Sequence, residues 1–282
     1  MIAAFRAEWL KTTRRPAVWI LLGILLGVLV FFVYLPGWWF FAHGPHDLLP
    51  AGTDVQQLKA EYYPRLIVPH FVSTMPALMG AACLALGVLS IGSDHAWGTI
   101  HTITSLPPGR LASLAGRLTV LCAVILALDL FLWAVAGAVA LTLAGIDGAS
   151  LAGPPPQQLL AAIATTWLIC SMWCSFGVLL AAAFRQSVVP LAVGLLYMLV
   201  IEGLVLNVLG GMGGEAVRDL EKLLPGPNAG ALFQAFGHGY VPAGGQVPTA
   251  LVAAWQAVAV VAAYLLLFCT GTAYFVRRRD LT

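Results

Sequence analysis

The chain has 282 residues, is 60% hydrophobic and only 9% charged, and carries a formal net charge of +2. So small and dispersed a charge argues against a nucleic-acid-binding protein, and six apolar runs hold almost none of it. The pattern is that of a polytopic membrane protein, all-α, because backbone crossing a bilayer must satisfy its own hydrogen bonds.

In chain order, residues 1–16 come first. Ile2, Phe5 and Trp9 share one helical face, with Glu8, Lys11, Thr12 and Arg15 elsewhere. This predicts a short amphipathic helix lying in the cytoplasmic membrane interface, separated by Pro16 from the first span. The six spans are expected at about residues 17–35, 71–91, 118–143, 159–184, 188–209 and 251–276. Each is long enough for a core of ~30 Å at ~1.5 Å per helical residue. Tyr34, Trp38, Trp39, Phe40 and Phe41 follow the first span as an interfacial aromatic belt. That belt, in place of a small-residue cleavage site, argues against a signal peptide.

The outer gaps are unequal. Residues 36–70 mix Pro, Gly and aromatics. Residues 147–158 are short and end in Pro154, Pro155 and Pro156. Residues 210–248 carry an expected helix at Glu215–Leu224, stopped by Pro225-Gly226-Pro227, and then an apolar piece over Ala229–Phe236. His43 and His46 lie near Asp47, and a metal would need a third ligand such as His70 or His238; a solvated polar loop is the simpler reading. The chain shows no strong internal repeat and no separate soluble domain, so residues 1–282 read as one membrane domain.

Orientation follows from the basic residues. Arg6, Lys11, Arg14, Arg15, Arg110, Arg117, Arg185, Arg277, Arg278 and Arg279 fall in one set of gaps. The opposite set holds only Lys59, Arg65, Arg218 and Lys222. The positive-inside bias predicts both termini in the cytoplasm of a multi-pass cell-membrane protein. All five cysteines lie within predicted spans, so no disulfide framework is implied. Cys170, Cys174, Gly177 and Ala181 form a small-residue ridge suited to close helix packing.

The gap between the second and third spans carries the functional signal. Asp94 is placed to cap a helix that runs to Leu106, where Pro107-Pro108-Gly109 ends it and Arg110 opens the next element. Ile100, Ile103 and Leu106 recur at near-helical spacing. The reading is a short helix on the cytoplasmic membrane surface.

Asp94, Gly98-Thr99, Pro107, Arg110 and the pair Gly116-Arg117 resemble the segment that follows the second membrane helix in ABC-2 type ABC transporter permeases. Glu8-Trp9-Leu10-Lys11 is similar to that family's N-terminal interfacial helix. Tyr274-Phe275 followed by Arg277-Arg278-Arg279-Asp280 is similar to its C-terminal ending. His95, and Asp rather than Glu at position 94, depart from the family pattern. The resemblance implies that 94–106 is a coupling helix docking on a separate ABC ATPase subunit, through Asp94, His95, Trp97, Gly98, Thr99, Ile100, Ile103, Pro107 and Arg110. It further implies two ATPase copies, a second permease subunit, identical or related, and usually export of a substrate. ATP and Mg would be bound by the partner, and none by this chain.

The sequence contains no phosphate-binding Gly-x-x-x-x-Gly-Lys-Ser/Thr loop, no His-Glu-x-x-His and no Gly-x-Ser-x-Gly, so it does not read as an enzyme. Two acids remain inside spans, Asp129 and Glu202. Each must face protein or a water-filled cavity. For Asp129 the expectation is a hydrogen-bonded lock, with Thr165, Thr166 or Ser171 as partner. For Glu202 it is the transport path. A rival reading makes the chain a self-contained proton-coupled transporter using both acids.

Overall fold

The computed structural model describes residues 2–45, 54–96, 109–205, 219, 221–237 and 252–278. Helix α1 spans Ile2–Thr13 and α2 begins at Pro16, so the expected break falls at Arg14–Arg15. Proline at the first position of α2 forfeits no helical hydrogen bond. α2 then continues to His43, well past the expected end at residue 35. Pro36 does not break it because the chain is π-wound over Leu29–Tyr34, and the Leu35 amide reaches back to the Val30 carbonyl. The wider turn makes room for a ring that would otherwise strike the carbonyl four residues earlier. The aromatic belt is therefore helical.

After the short helix α3 (Val55–Ala60), capped by the Asp54 carboxylate, a 3₁₀ turn at Pro64–Leu66 leads into α4 (Ile67–Thr74). α5 (Pro76–Ala96) follows at a bend of 56°. The expected second span, 71–91, is thus a bent pair. Pro76 has no amide for the Val72 carbonyl, and the Ser73 and Thr74 hydroxyls both donate to the His70 carbonyl, at 2.9 and 2.8 Å.

α6 covers Arg110–Ile146 and α7 Pro156–Phe184. At 37 residues α6 is about 55 Å long, so it projects beyond a hydrocarbon core. α7 ends with Arg185 in the left-handed conformation, and α8 starts three residues later. α8 is α-helical over Val188–Leu195 and π-wound over Leu196–Val205. Pro225-Gly226-Pro227, expected to stop a helix, instead starts α9 (Pro225–Gln234). The Asn228 amide closes the preceding turn by donating to the Lys222 and Leu224 carbonyls. Of the helix expected over Glu215–Leu224, most residues lie outside those described, and the chain turns at 222–224. α10 is Ala254–Arg278.

Among the described residues no strand occurs, and α2, α6, α7 and α10 are each long and apolar enough to cross a membrane. The bent α4–α5 pair makes a fifth. The apolar part of α8, Val188–Glu202, is shorter than a full span, so four to five spans stand where six were expected. The remainder of that expected fifth span, 206–209, lies outside the described residues.

α7 is the buried centre, while α2 and α10 leave most of their apolar surface exposed, as lipid-facing helices do. Trp19, Ile20, Phe31 and Phe32 line that outer surface of α2. The most extensive helix pair is α5 with α7. A Cβ on Gly87 would collide with the Cys174 carbonyl, and one on Gly177 with the Leu84 carbonyl. Cys170, Cys174, Gly177 and Ala181 are all buried, so the small-residue ridge does face a neighbouring helix.

Replacing Gly177 by Val should force α5 and α7 apart and destabilise the protein by about 1–3 kcal/mol or more, as overpacking does. Gly23→Ala, at a position with nothing within 4 Å, is the control and should be neutral or mildly stabilising. Thermal melting of the detergent-purified variants measures both; equal melting temperatures would contradict the close-packing argument.

Candidate functional site: the basic end and the buried acids

The segment resembling a coupling helix is framed by the end of α5 and the start of α6. Asp94 and His95 lie in the last turn of α5, which runs unbroken to Ala96, so the helix start expected at Asp94 is not there. Gly92 does not interrupt α5; it packs against the Gln186–Ser187 turn, where a Cβ would come within 3.0 Å of the Ser187 Cα. Trp97, Gly98, Thr99, Ile100, Ile103 and Pro107 lie outside the described residues. Arg110 is the first residue of α6, preceded by Gly109 at φ 90°, a conformation that favours glycine.

These flanks are clamped by arginines. The Arg15 guanidinium donates to the Leu89 carbonyl at 2.8 Å. The Arg117 guanidinium donates to the Ser90 carbonyl at 3.0 Å and to the Glu8 carboxylate at 3.2 Å. Glu8 and Arg117 are both buried. One arginine on α6 therefore ties together α1, α5 and α6. α1 packs along α6, with Phe5 against the cluster of Val18, Leu86, Val120 and Val124. Trp9 remains 38% exposed and Leu10 53% exposed, so the helix keeps an apolar outer side. The sequence pointed to an amphipathic helix but not to this ion pair, because Glu8 and Arg117 are 109 residues apart.

Asp129 on α6 is fully buried. The Thr166 hydroxyl on α7 lies 2.8 and 2.9 Å from its two carboxylate oxygens and donates to it. The Trp133 indole donates to the Thr166 oxygen at 3.3 Å and stacks on Phe71, 4.0 Å between ring centres. Asp129 is thus held in a side-chain network joining α6 and α7, and the network reaches α4 through Phe71.

Glu202 on α8 is 5% exposed, and among the described residues neither carboxylate oxygen makes a hydrogen bond. It lies against Gly226 at the start of α9 and Tyr197 on its own helix. Asp129 and Glu202 are not brought together.

At the opposite end a second network escaped the sequence. Asp147, just after α6, accepts from Lys59 at 2.7 Å, Trp38 at 2.6 Å and Tyr63 at 2.9 Å. Burial alone would raise this carboxyl; the donors, Lys59 foremost, outweigh it and hold it below its ordinary value. The folded value being the lower one, this contribution is whole above the ordinary carboxylate range and is lost as pH falls from that range through the lowered value. Burial and the Asp147 carboxylate together push the Tyr63 hydroxyl up to about 12. Lys59 and Asp147 are among the few charges on that side, which was the one available signal. His43 packs on Trp38 and Trp39, and His70 is buried beside Tyr34 and Tyr62. Among the described residues no three metal-ligating side chains converge.

The profile of the family described as ABC-2 family transporter protein matches residues 4–201. The chain belongs to this ABC-2 transporter family. The match runs from α1 through most of α8, so it includes the arginine-clamped flanks, Asp129 and the α5–α7 contact. No match was found among curated proteins. As an ABC-2 protein the chain is a membrane component of a transporter, normally without catalytic activity of its own.

Two outcomes are expected from these contacts. Thr166→Val should cost about 1–3 kcal/mol because it strands a buried carboxylate, and Asp129→Leu combined with Thr166→Val should cost less than the sum of the single changes. Melting of the four proteins closes the cycle, and strict additivity would deny the lock. Glu8→Gln should loosen α1, since a hydrogen bond to a charged group contributes about 1.5–3 kcal/mol. Amide exchange across Ile2–Thr13 should then accelerate while α7 is unchanged; equal acceleration in both would place the effect elsewhere.

Proposed function

We propose that the chain is the permease subunit of an ATP-binding cassette exporter. In this reading it crosses the membrane six times with both termini cytoplasmic, and pairs with a second permease subunit, identical or related. Two ABC ATPase subunits bind ATP and Mg and dock on residues 94–106. The observation that carries the reading is the family match together with the clamped basic end. Residues 97–108 connect two helix ends that Arg15, Arg117 and Glu8 tie to each other and to α1. A push on that segment is therefore delivered to α5, and through the Gly87–Gly177 contact to α7, rather than absorbed locally. Asp94, His95, Trp97, Gly98, Thr99, Ile100, Ile103, Pro107 and Arg110 form the docking surface, with Trp97 as its aromatic anchor and Gly98 permitting close backbone approach. The proton-coupled alternative finds no support in Asp129, which is engaged with Thr166 rather than presented to a path.

A buried aromatic anchor commonly costs ~2 kcal/mol or more on truncation, roughly thirtyfold in affinity. Trp97→Ala and Gly98→Trp should leave abundance in the membrane unchanged while the ATPase subunit no longer co-purifies and ATP hydrolysis by the preparation disappears. The chain purified alone should hydrolyse no ATP. Nucleotide-free transport in liposomes driven by an imposed pH gradient would overturn the permease reading.

A further inference from the structure

Of the two acids within the apolar stretches, Asp129 has its hydrogen bonds and Glu202 has none among the described residues. The winding of α8 explains where Glu202 points. In an α-helix residues 197 and 202 would sit about 140° apart around the axis. A π segment bonds residues five apart at about 4.4 residues per turn, so within Leu196–Val205 Tyr197 and Glu202 stand only about 50° apart and share a face. Tyr197 in turn begins a run of rings from three helices. Its ring centre lies 5.5 Å from Phe176 and 6.4 Å from Trp173, both on α7. Phe176 lies 4.9 Å from Phe268 on α10, and Phe268 lies 5.6 Å from Tyr264.

The other neighbour is the first turn of α9. A helix N-terminus would ordinarily satisfy a carboxylate with several free amides. Here Pro225 and Pro227 have no N–H, and the Asn228 amide is directed to the Leu224 carbonyl. Only Gly226 is left, and it lies so close that a Cβ would collide with the Glu202 carboxylate. The turn thus covers the acid and offers it at most one amide. A carboxylate in an apolar bundle is costly unless a positive charge reaches it. Aromatic faces carry negative potential, so they welcome a cation and disfavour a second anion. A bare metal ion would ask for several more oxygen ligands than this place offers.

We propose that Glu202 and the rings of Tyr197, Phe176, Trp173, Phe268 and Tyr264 are the recognition site for a lipophilic organic cation. That this cation is the transported cargo rests on the permease reading above; that it binds does not. The carboxylate supplies the charge and the rings supply the apolar, polarisable wall. Occupation requires the Pro225–Pro227 turn to withdraw from Glu202, which makes α9 the cover of the site from the end that carries Asp147.

The test is equilibrium binding to the purified chain in lipid nanodiscs. The probe is radiolabelled tetraphenylphosphonium, with unlabelled tetraphenylborate as the shape-matched anion. Saturable binding of the cation is expected, with the anion failing to compete. Glu202→Gln should weaken binding at least about tenfold. Tyr197→Phe should retain it, and Tyr197→Leu should lose several-fold. Absence of saturable binding, equal competition by the anion, or unchanged affinity in Glu202→Gln would each overturn the proposal. The comparison of the two ions uses the wild-type chain, so it decides even if Glu202→Gln does not fold. None of these readouts involves the ATPase. Loss of the permease reading through the Trp97 experiment would leave cation binding intact, and loss of cation binding would leave ATPase association intact.

Discussion

The arrangement depends on how closely α5 and α7 approach. In lipid there is no water to expel from between two helices, so association rests on close packing and on the few polar contacts available. Gly87 and Gly177 let each backbone lie directly on the other, and neither position has room for a single carbon more. The contact is reciprocal, with Gly87 on Cys174 and Gly177 on Leu84 and Val88. From it follow the burial of Cys83, Cys170 and Trp173 and the placing of α8, whose Gly194 rests on Leu84. A looser pair would also separate α5 from the Gln186–Ser187 turn that packs on Gly92. The same contact therefore organises the core and fixes the approach to the segment after Ala96.

Prolines and π-wound turns account for most of what the sequence did not reveal. Hydropathy placed every long apolar helix, because spanning length and lack of charge are written locally. It could not distinguish a proline that ends a helix from one that starts or bends it. Pro36 is absorbed by π winding, Pro76 bends a span, and Pro225 opens a helix. At Pro36 the winding changes, at Pro76 the Ser73 and Thr74 hydroxyls bond the His70 carbonyl at the bend, and at Pro225 a helix start loses no hydrogen bond. The small-residue ridge was legible because its spacing is helical. The Glu8–Arg117 pair and the Asp147 network were not, since their members come from distant gaps. The aromatic run beside Glu202 was hidden for another reason. It needs i and i+5 on one face, and an α-helical reading never looks there.

The two intramembrane acids show how little residue type alone decides. Both are isolated carboxylates in apolar helices and both are buried. Asp129 meets a hydroxyl from the adjacent helix, and that hydroxyl has an indole donor of its own, so the polar chain is closed. Glu202 meets rings and a turn in which two prolines leave only the Gly226 amide. The first arrangement gains from being rigid. The second gains from being incomplete, since an acid already satisfied would have nothing to offer a ligand.

Coupling across such a protein requires an element with two arrangements that both ends can bias. α8 and α9 are the natural candidates. α8 follows α7 after a three-residue turn at the basic end, where Gly92 of α5 packs on that same turn. Its π-wound half reaches Glu202 and the cover formed by α9. A π segment has weaker geometry than an α-helix and can convert to it by shifting one residue in register. That shift would carry Glu202 away from Tyr197 and from Gly226. In the permease reading, a movement delivered to the end of α5 could reach Glu202 without a polar chain linking the two places, because α5, α7 and the start of α8 are packed directly on one another.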